Sequence, residues 1–195
     1  LLCSDGHHIE TPHIEGFAEY LLQSGVQGKI LPIKSVGVQG DCRTYAQPFV
    51  IQSELNWKEC EQYSTAITNR FKQLNRLVYQ VASDPTINYS LIEQYSTRDR
   101  LDLLRTVDAI CTEFLYENDL YNEIWQMPVV LPPLEANGKP VAVIRPVCST
   151  EAMTANFYEM NRDYLNNLWE QVSAAGFGAL LYDITHKPPG TIEWE

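Results

Sequence analysis

Apolar and polar positions along the chain alternate between two periods, and this alternation predicts the elements. In the first half, Phe17, Tyr20 and Leu21 recur at helical spacing. Thr11-Pro12 reads as the cap and first helical residue, and Gly25 and Gly28 end the helix. Two apolar runs follow, Ile30 to Val38 and Thr44 to Ile51, which read as strands turning near Gly40-Asp41. Trp57, Cys60, Ser64, Ile67, Phe71 and Leu74 then step by three and four, which makes one helical stripe. Arg76 to Ala82 reads as a closing strand, broken by Ser83-Asp84-Pro85.

The second half repeats that order. Leu104, Val107, Ile110, Cys111, Phe114 and Leu115 form a helical stripe, and Met127 to Leu131 and Val141 to Val147 read as strands. Glu135-Ala136-Asn137-Gly138 is a hairpin turn, since Asn-Gly readily takes the positive φ that tight turns need. Phe157, Met160, Tyr164, Leu165, Leu168 and Val172 mark another helix, and Ala179 to Thr185 a last strand. Ile51-Gln52-Ser53 aligns with Val147-Cys148-Ser149, and Leu77-Val78-Tyr79 with Leu180-Leu181-Tyr182. This likeness in class and order points to an internal duplication.

The expected fold is therefore α+β: two tandem α-β-β-α-β two-layer sandwiches with mostly antiparallel sheets. Residues 1–84 form the first repeat, 85–100 a linker and 101–195 the second repeat with the C-terminal tail. Ile87, Leu91 and Ile92 suggest a short helix in the linker. Helices on one side would leave the other sheet face open, which predicts self-association.

Composition narrows the function classes. A chain that is 45% hydrophobic and 20% charged builds a core. A net charge of -11 repels nucleic acid and anionic lipid, so no nucleic-acid or membrane partner is expected. No apolar run has membrane-spanning length, and the first residues lack a secretory pattern. The chain opens without Met, so it is either a segment of a longer protein or a separate module. Five widely spaced cysteines with no CxxC suggest neither zinc nor a disulfide framework, and fit a reduced, cytoplasmic protein. His7, His8 and His13 suit a polar terminus better than a metal site, and Cys42 is not expected to be reactive despite its neighbour Arg43.

Two stretches carry candidate chemistry. Val36-Gly37-Val38-Gln39-Gly40-Asp41-Cys42-Arg43-Thr44-Tyr45 is a strand entering a glycine-bearing turn, with Arg43 offering a planar fork to an anion or standing exposed on a plain hairpin. The terminus, Lys187-Pro188-Pro189-Gly190-Thr191-Ile192-Glu193-Trp194-Glu195, is stiffened by proline and supplied with residues to bury. Lys187 and Thr191 suit a phosphate, though a tail packed on its own domain is equally sensible.

Both stretches closely resemble the signatures of the GMP synthase C-terminal domain, and Gln126-Met127-Pro128-Val129 resembles the matching segment of the long form, in which that domain is doubled. The resemblance implies that the chain pairs subunits and completes the XMP pocket of an enzyme that amidates XMP to GMP. Arg43, Gln126, Lys187, Thr191, Ile192 and Glu193 would contact XMP, with Lys187 and Thr191 on the 5′-phosphate and Glu193 accepting hydrogen bonds. ATP and Mg²⁺ would serve the full-length enzyme. The chain itself carries neither a glycine-rich ATP-phosphate loop nor a cysteine nucleophile elbow, so no cofactor and no catalytic residue is expected in it. Its partners would be the ATP pyrophosphatase and glutaminase domains. The competing reading is a stand-alone nucleotide-binding or assembly module of the same fold.

Overall fold

The computed structural model describes residues 1–39, 42–82, 84–151 and 153–194. The elements run β1 (Ser4–Asp5), α1 (Phe17–Ser24), β2 (Gly28–Ile30), β3 (Ser35–Gln39), β4 (Cys42–Ile51), α2 (Trp57–Arg70), β5 (Leu74–Gln80), β6 (Tyr89–Leu91), β7 (Glu93–Gln94) and α3 (Arg98–Glu117). They continue with β8 (Val129–Val130), β9 (Leu134–Ala136), β10 (Lys139–Ile144), β11 (Val147–Cys148), β12 (Asn156–Phe157), α4 (Arg162–Ala174) and β13 (Ala179–Asp183). The class is α+β, as the patterning implies.

Local chemistry accounts for most boundaries. Asn56 caps α2 through a reciprocal box with Glu59, which satisfies two backbone donors. Thr97 and Asn161 cap α3 and α4. Asn137 (φ 52°) and Gly138 (φ 77°) turn β9 into β10, as the Asn-Gly pair predicts. Four expectations are corrected. Helix α1 opens at Phe17 and not at Pro12, because Gly16 (φ 71°) swings the chain in after buried Ile14. The run from Ile30 to Val38 divides into β2 and β3, since Pro32 has no N–H for a ladder. Phe157 pairs within β12, ahead of α4. The segment after Pro85 forms strands β6 and β7 in place of a short helix, with β6 laid antiparallel on β9. The Gly40-Asp41 turn and Ser83 of the strand-breaking triplet lie outside the described residues.

Both halves share one sheet. Among the described residues it has nine strands, ordered β2-β4-β5-β13-β10-β9-β6, with β3 on β4 and β8 on β10. Each half contributes a parallel pair, β4 with β5 and β10 with β13. The halves meet where β5 and β13 run antiparallel, with Gln80 opposite Leu181, Tyr79 opposite Tyr182 and Val78 opposite Asp183. The ladders also correct the internal alignment: Ile51 pairs with Tyr79 as Ile144 pairs with Tyr182, so Ile51 corresponds to Ile144, not to Val147.

Alternation along the central strands feeds two cores. Phe49, Ile51, Leu77, Tyr79, Ala142, Ile144, Leu180 and Tyr182 face the helices, whose buried residues include Cys60, Ile67, Val107, Cys111, Phe114, Leu165 and Leu168. Val50, Val78, Val141, Val143 and Leu181 face the other way. The open sheet face expected from sequence is absent there. Leu2, Leu31, Ile33, Ile87, Leu134 and Trp194 cover it, and Val50, Val78, Val143 and Leu181 are fully buried. Apart from Leu134 at the start of β9, the cover comes from loops and the chain ends, which carry no periodic signal. Among the described residues, no helix is long and apolar enough to cross a membrane.

Candidate functional site

The C-terminal tail does not fray. Beyond β13 it turns through Lys187, Pro188 and Pro189, whose two proline bonds are cis, and runs along β3. Gly190 bridges Gly37 in antiparallel fashion. The Val38 amide donates to the Pro189 carbonyl (2.6 Å) and the Val36 amide to that of Trp194 (3.0 Å). Glycine at position 37 is what lets the backbones approach: a Cβ there would sit 2.9 Å from the Pro189 oxygen and 3.0 Å from Thr44 Oγ1. Strand β3 is also the partner of β4, where Arg43 stands opposite Val38. The two stretches singled out in the sequence are thus neighbours, with the tail and β4 flanking β3.

A buried ion cluster holds the tail. Asp183, at the end of β13, receives Arg76 Nη1 on Oδ2 (2.8 Å) and Arg145 Nη1 on Oδ1 (2.8 Å), and all three side chains have 0% exposure. Trp194 Nε1 donates to the same Oδ2 (2.8 Å), and the Thr185 amide to Oδ1 (2.9 Å). The second arm of Arg76, Nη2, lies within hydrogen-bonding distance of the carbonyls of Val36 (2.9 Å), Thr191 (3.0 Å) and Glu193 (2.7 Å), and of Thr191 Oγ1 (2.6 Å). Burial by itself would raise the Asp183 carboxyl, but Arg145, Arg76 and the Thr185 bonds outweigh it and hold it below the usual carboxylate range. Burial brings Arg76 down to about 10, with Asp183 opposing, so the pair is charged at neutral pH. The signal for this cluster was visible as charged residues inside apolar strands; their pairing across the chain was not.

The six sequence-predicted residues divide between two places. Arg43 is exposed on β4. Thr191, Ile192 and Glu193 lie in the tail; the Thr191 hydroxyl is engaged by Arg76 and by the carbonyls of Val36 and Glu193, while Glu193 itself is exposed. Gln126 and Lys187 belong to a small separate ribbon. Gln126 bridges Val147, β11 pairs β12, and Ala155 exchanges both backbone bonds with Lys187. A cleft of about 500 Å³ opens on this ribbon, lined by Asn122, Glu123, Trp125, Cys148, Thr154 and Asn156. Lys187 thus lies where ribbon and tail join, and Gln126 at the ribbon's far edge. Glu195 lies outside the described residues.

The cysteines are not poised for catalysis where they are buried. Desolvation pushes the Cys60 thiol up to about 11 and Cys111 up to about 12. Among the described residues no group of three or more His, Cys, Asp or Glu side chains is arranged to hold a metal ion.

Residues 113–194, from within α3 to the end of the docked tail, match the family model described as GMP synthase C terminal domain. The chain carries a GMP synthase C-terminal domain. A probable glutamine-hydrolyzing GMP synthase from Leptospira interrogans (serovar copenhageni) is 43% identical over 178 residues, covering 89% of this chain and 30% of that protein. A glutamine-hydrolyzing GMP synthase from Bartonella quintana is 38% identical over 109 residues, 51% of this chain and 21% of its own length. One from Bradyrhizobium diazoefficiens is also 38% identical over 109 residues, covering 51% and 20%. The chain therefore spans less than a third of these relatives. The Leptospira alignment is longer than the family-model match, so the likeness to a GMP synthase reaches into the first half as well.

Proposed function

We propose that this chain is the part of a GMP synthase that completes the XMP pocket, and that it is not catalytic alone. The observation supporting this is the seating of the tail on β3: Pro189 and Gly190 lie against Val38 and Gly37, and Arg43 stands opposite Val38 on β4. Lys187 supplies charge for the 5′-phosphate, Arg43 a second cation from the hairpin, Gln126 an amide from the ribbon, and Glu193 an acceptor for the ligand's polar groups. Thr191, with Ile192 beside it, acts chiefly through the tail's own bonds. ATP-dependent activation of XMP, with Mg²⁺, and the release of ammonia from glutamine belong to other domains, which are this region's partners. The two halves, residues 1–84 and 101–195, act as repeats joined by 85–100. The sheet face opposite the helices is covered, so self-association of the chain would use another surface. The five free thiols suit a cytoplasmic setting.

The test uses the enzyme that carries this region. Lys187→Ala should raise KM for XMP about tenfold, the worth of one charge-assisted phosphate contact, with kcat little changed. An unchanged KM would overturn the assignment. The chain by itself should make no GMP from XMP, ATP and ammonia, and turnover above background would refute its non-catalytic role.

A further inference from the structure

The antiparallel seam relates the two halves by a local twofold that passes through the pairing of Tyr79 with Tyr182. Under that rotation Val78 exchanges with Leu181 and Gln80 with Asp183, so Arg76 corresponds to Ala179. The ion pair of Arg76 with Asp183 therefore has a counterpart position, and it is occupied by Ala179 and Gln80. The next contact behaves likewise. Arg145 Nη1 to Asp183 Oδ1 (2.8 Å) corresponds to Gln52 Nε2 to Gln80 Oε1 (3.0 Å). On one side of the seam the cluster is ionic and receives the tail. On the other it is neutral and receives the segment after β5: Tyr89 donates its hydroxyl to Gln80 Oε1 (2.6 Å), and Gln52 Nε2 reaches the Ile87 carbonyl (3.2 Å). Tyr89 takes the place that Trp194 takes opposite.

We infer that Arg76 and Asp183, drawn from opposite halves, are positioning residues for the proposed nucleotide site, and that each half has kept only the member its counterpart lost. This rests on the reading under Proposed function. One guanidinium supports both claims. Its Nη1 is spent on a carboxylate from the second half, and its Nη2 gathers the first-half carbonyl of Val36 with the tail carbonyls of Thr191 and Glu193. Fixing those carbonyls fixes the backbone that bears Ile192 and Glu193 and, through Gly190, the approach from Lys187. An Arg is required: a lysine ammonium is a single point and cannot hold Asp183 and span to Glu193. The clamp is built once per chain, and the mirror position is closed by the chain's own residues from Asp84 to Tyr89.

The experiment is amide hydrogen exchange on Arg76→Lys, read at Val36 and Val38, whose acceptors are the tail carbonyls of Trp194 and Pro189, together with XMP titration. Exchange at both amides should rise about tenfold while β10 and β13 stay protected, and XMP affinity should fall by a similar factor. Unchanged exchange overturns the clamp. Faster exchange with unchanged XMP affinity overturns the positioning role. Should Arg76→Lys not fold, Trp194→Phe removes the indole donor to Asp183 and part of the ring beneath the Arg76 guanidinium, and its exchange at Val36 must rise or the clamp is rejected. If the unaltered protein does not prefer XMP to xanthosine while Arg76→Lys loosens the tail, the clamp stands as a tail anchor and the nucleotide reading falls with its positioning role.

Discussion

Tyr79 and Tyr182 face each other across the antiparallel seam, and Trp57 packs on both rings, with centroids 6.2 and 5.1 Å away. Trp57 belongs to α2 of the first half, yet its Nε1 donates to the Met160 carbonyl of the second (2.8 Å). Arg162 of the second half lies 3.7 Å over the Trp57 ring. The helix-side core is thus continuous through the seam.

Trp57→Phe should therefore destabilise the whole chain. It leaves the Met160 carbonyl without its donor, which costs about 1–3 kcal/mol, and loses part of the ring contact. Urea unfolding should show one transition for both halves, shifted to lower denaturant. Two separated transitions, or a shift confined to one half, would mean that the halves fold independently.

Gly37→Ala tests the tail contact from the hairpin side. The added methyl would sit within 3.0 Å of the Pro189 oxygen, Asn75 Cβ and Thr44 Oγ1, closer than packed atoms tolerate. The tail should lift from β3 around Pro189 before the sheet yields, because the Val38 bond holds it there and the Arg76 and Trp194 contacts lie further along, while β3 and β4 pair over five positions. Carboxypeptidase digestion should trim the variant and spare the parent chain.

The pH dependence of stability follows from two groups in the same region. Burial pushes His186 below its ordinary 6.5, with Arg145 adding to it and Glu61, 3.8 Å away, opposing; Asn156 Oδ1 lies 3.1 Å from Nδ1. A depressed histidine is protonated first in the unfolded chain, so its contribution is complete above about 6.5 and is lost as pH falls toward its folded value. The depressed Asp183 carboxyl obeys the same sign at lower pH: its contribution is present above about 3.9 and is lost as pH falls through the folded value. Urea unfolding from pH 8 to 3 should show both declines. His186→Asn should flatten the upper one. Asp183→Asn should flatten the lower one and cost about 3–5 kcal/mol at neutral pH, because it strands two buried guanidinium groups.

The site residues show how far the sequence could be read. As candidates for the proposed site, Arg43 and Lys187 stand out in the sequence because they lie in short contiguous stretches whose residue types suggest anion recognition and docking, while Glu193 enters by resemblance. Arg76 and Asp183 were not legible: they are 107 positions apart and meet only because two strands pair antiparallel. Gln126 was legible by resemblance, but its placement on a ribbon with Lys187 comes from one- and two-residue bridges that leave no periodic trace.

The amino-acid order by itself determined the helices α2, α3 and α4, the Asn137-Gly138 hairpin, the α+β class and the repetition of elements, because caps, turns and apolar stripes act over a few neighbouring residues. The tertiary structure alone decided that both halves complete one sheet, that loops and chain ends close its second face, and that the tail is gripped across the seam. Those outcomes depend on which distant strands find each other. Backbone hydrogen bonding is the same for every sequence, so partner choice emerges only when both cores and the buried charges are satisfied together.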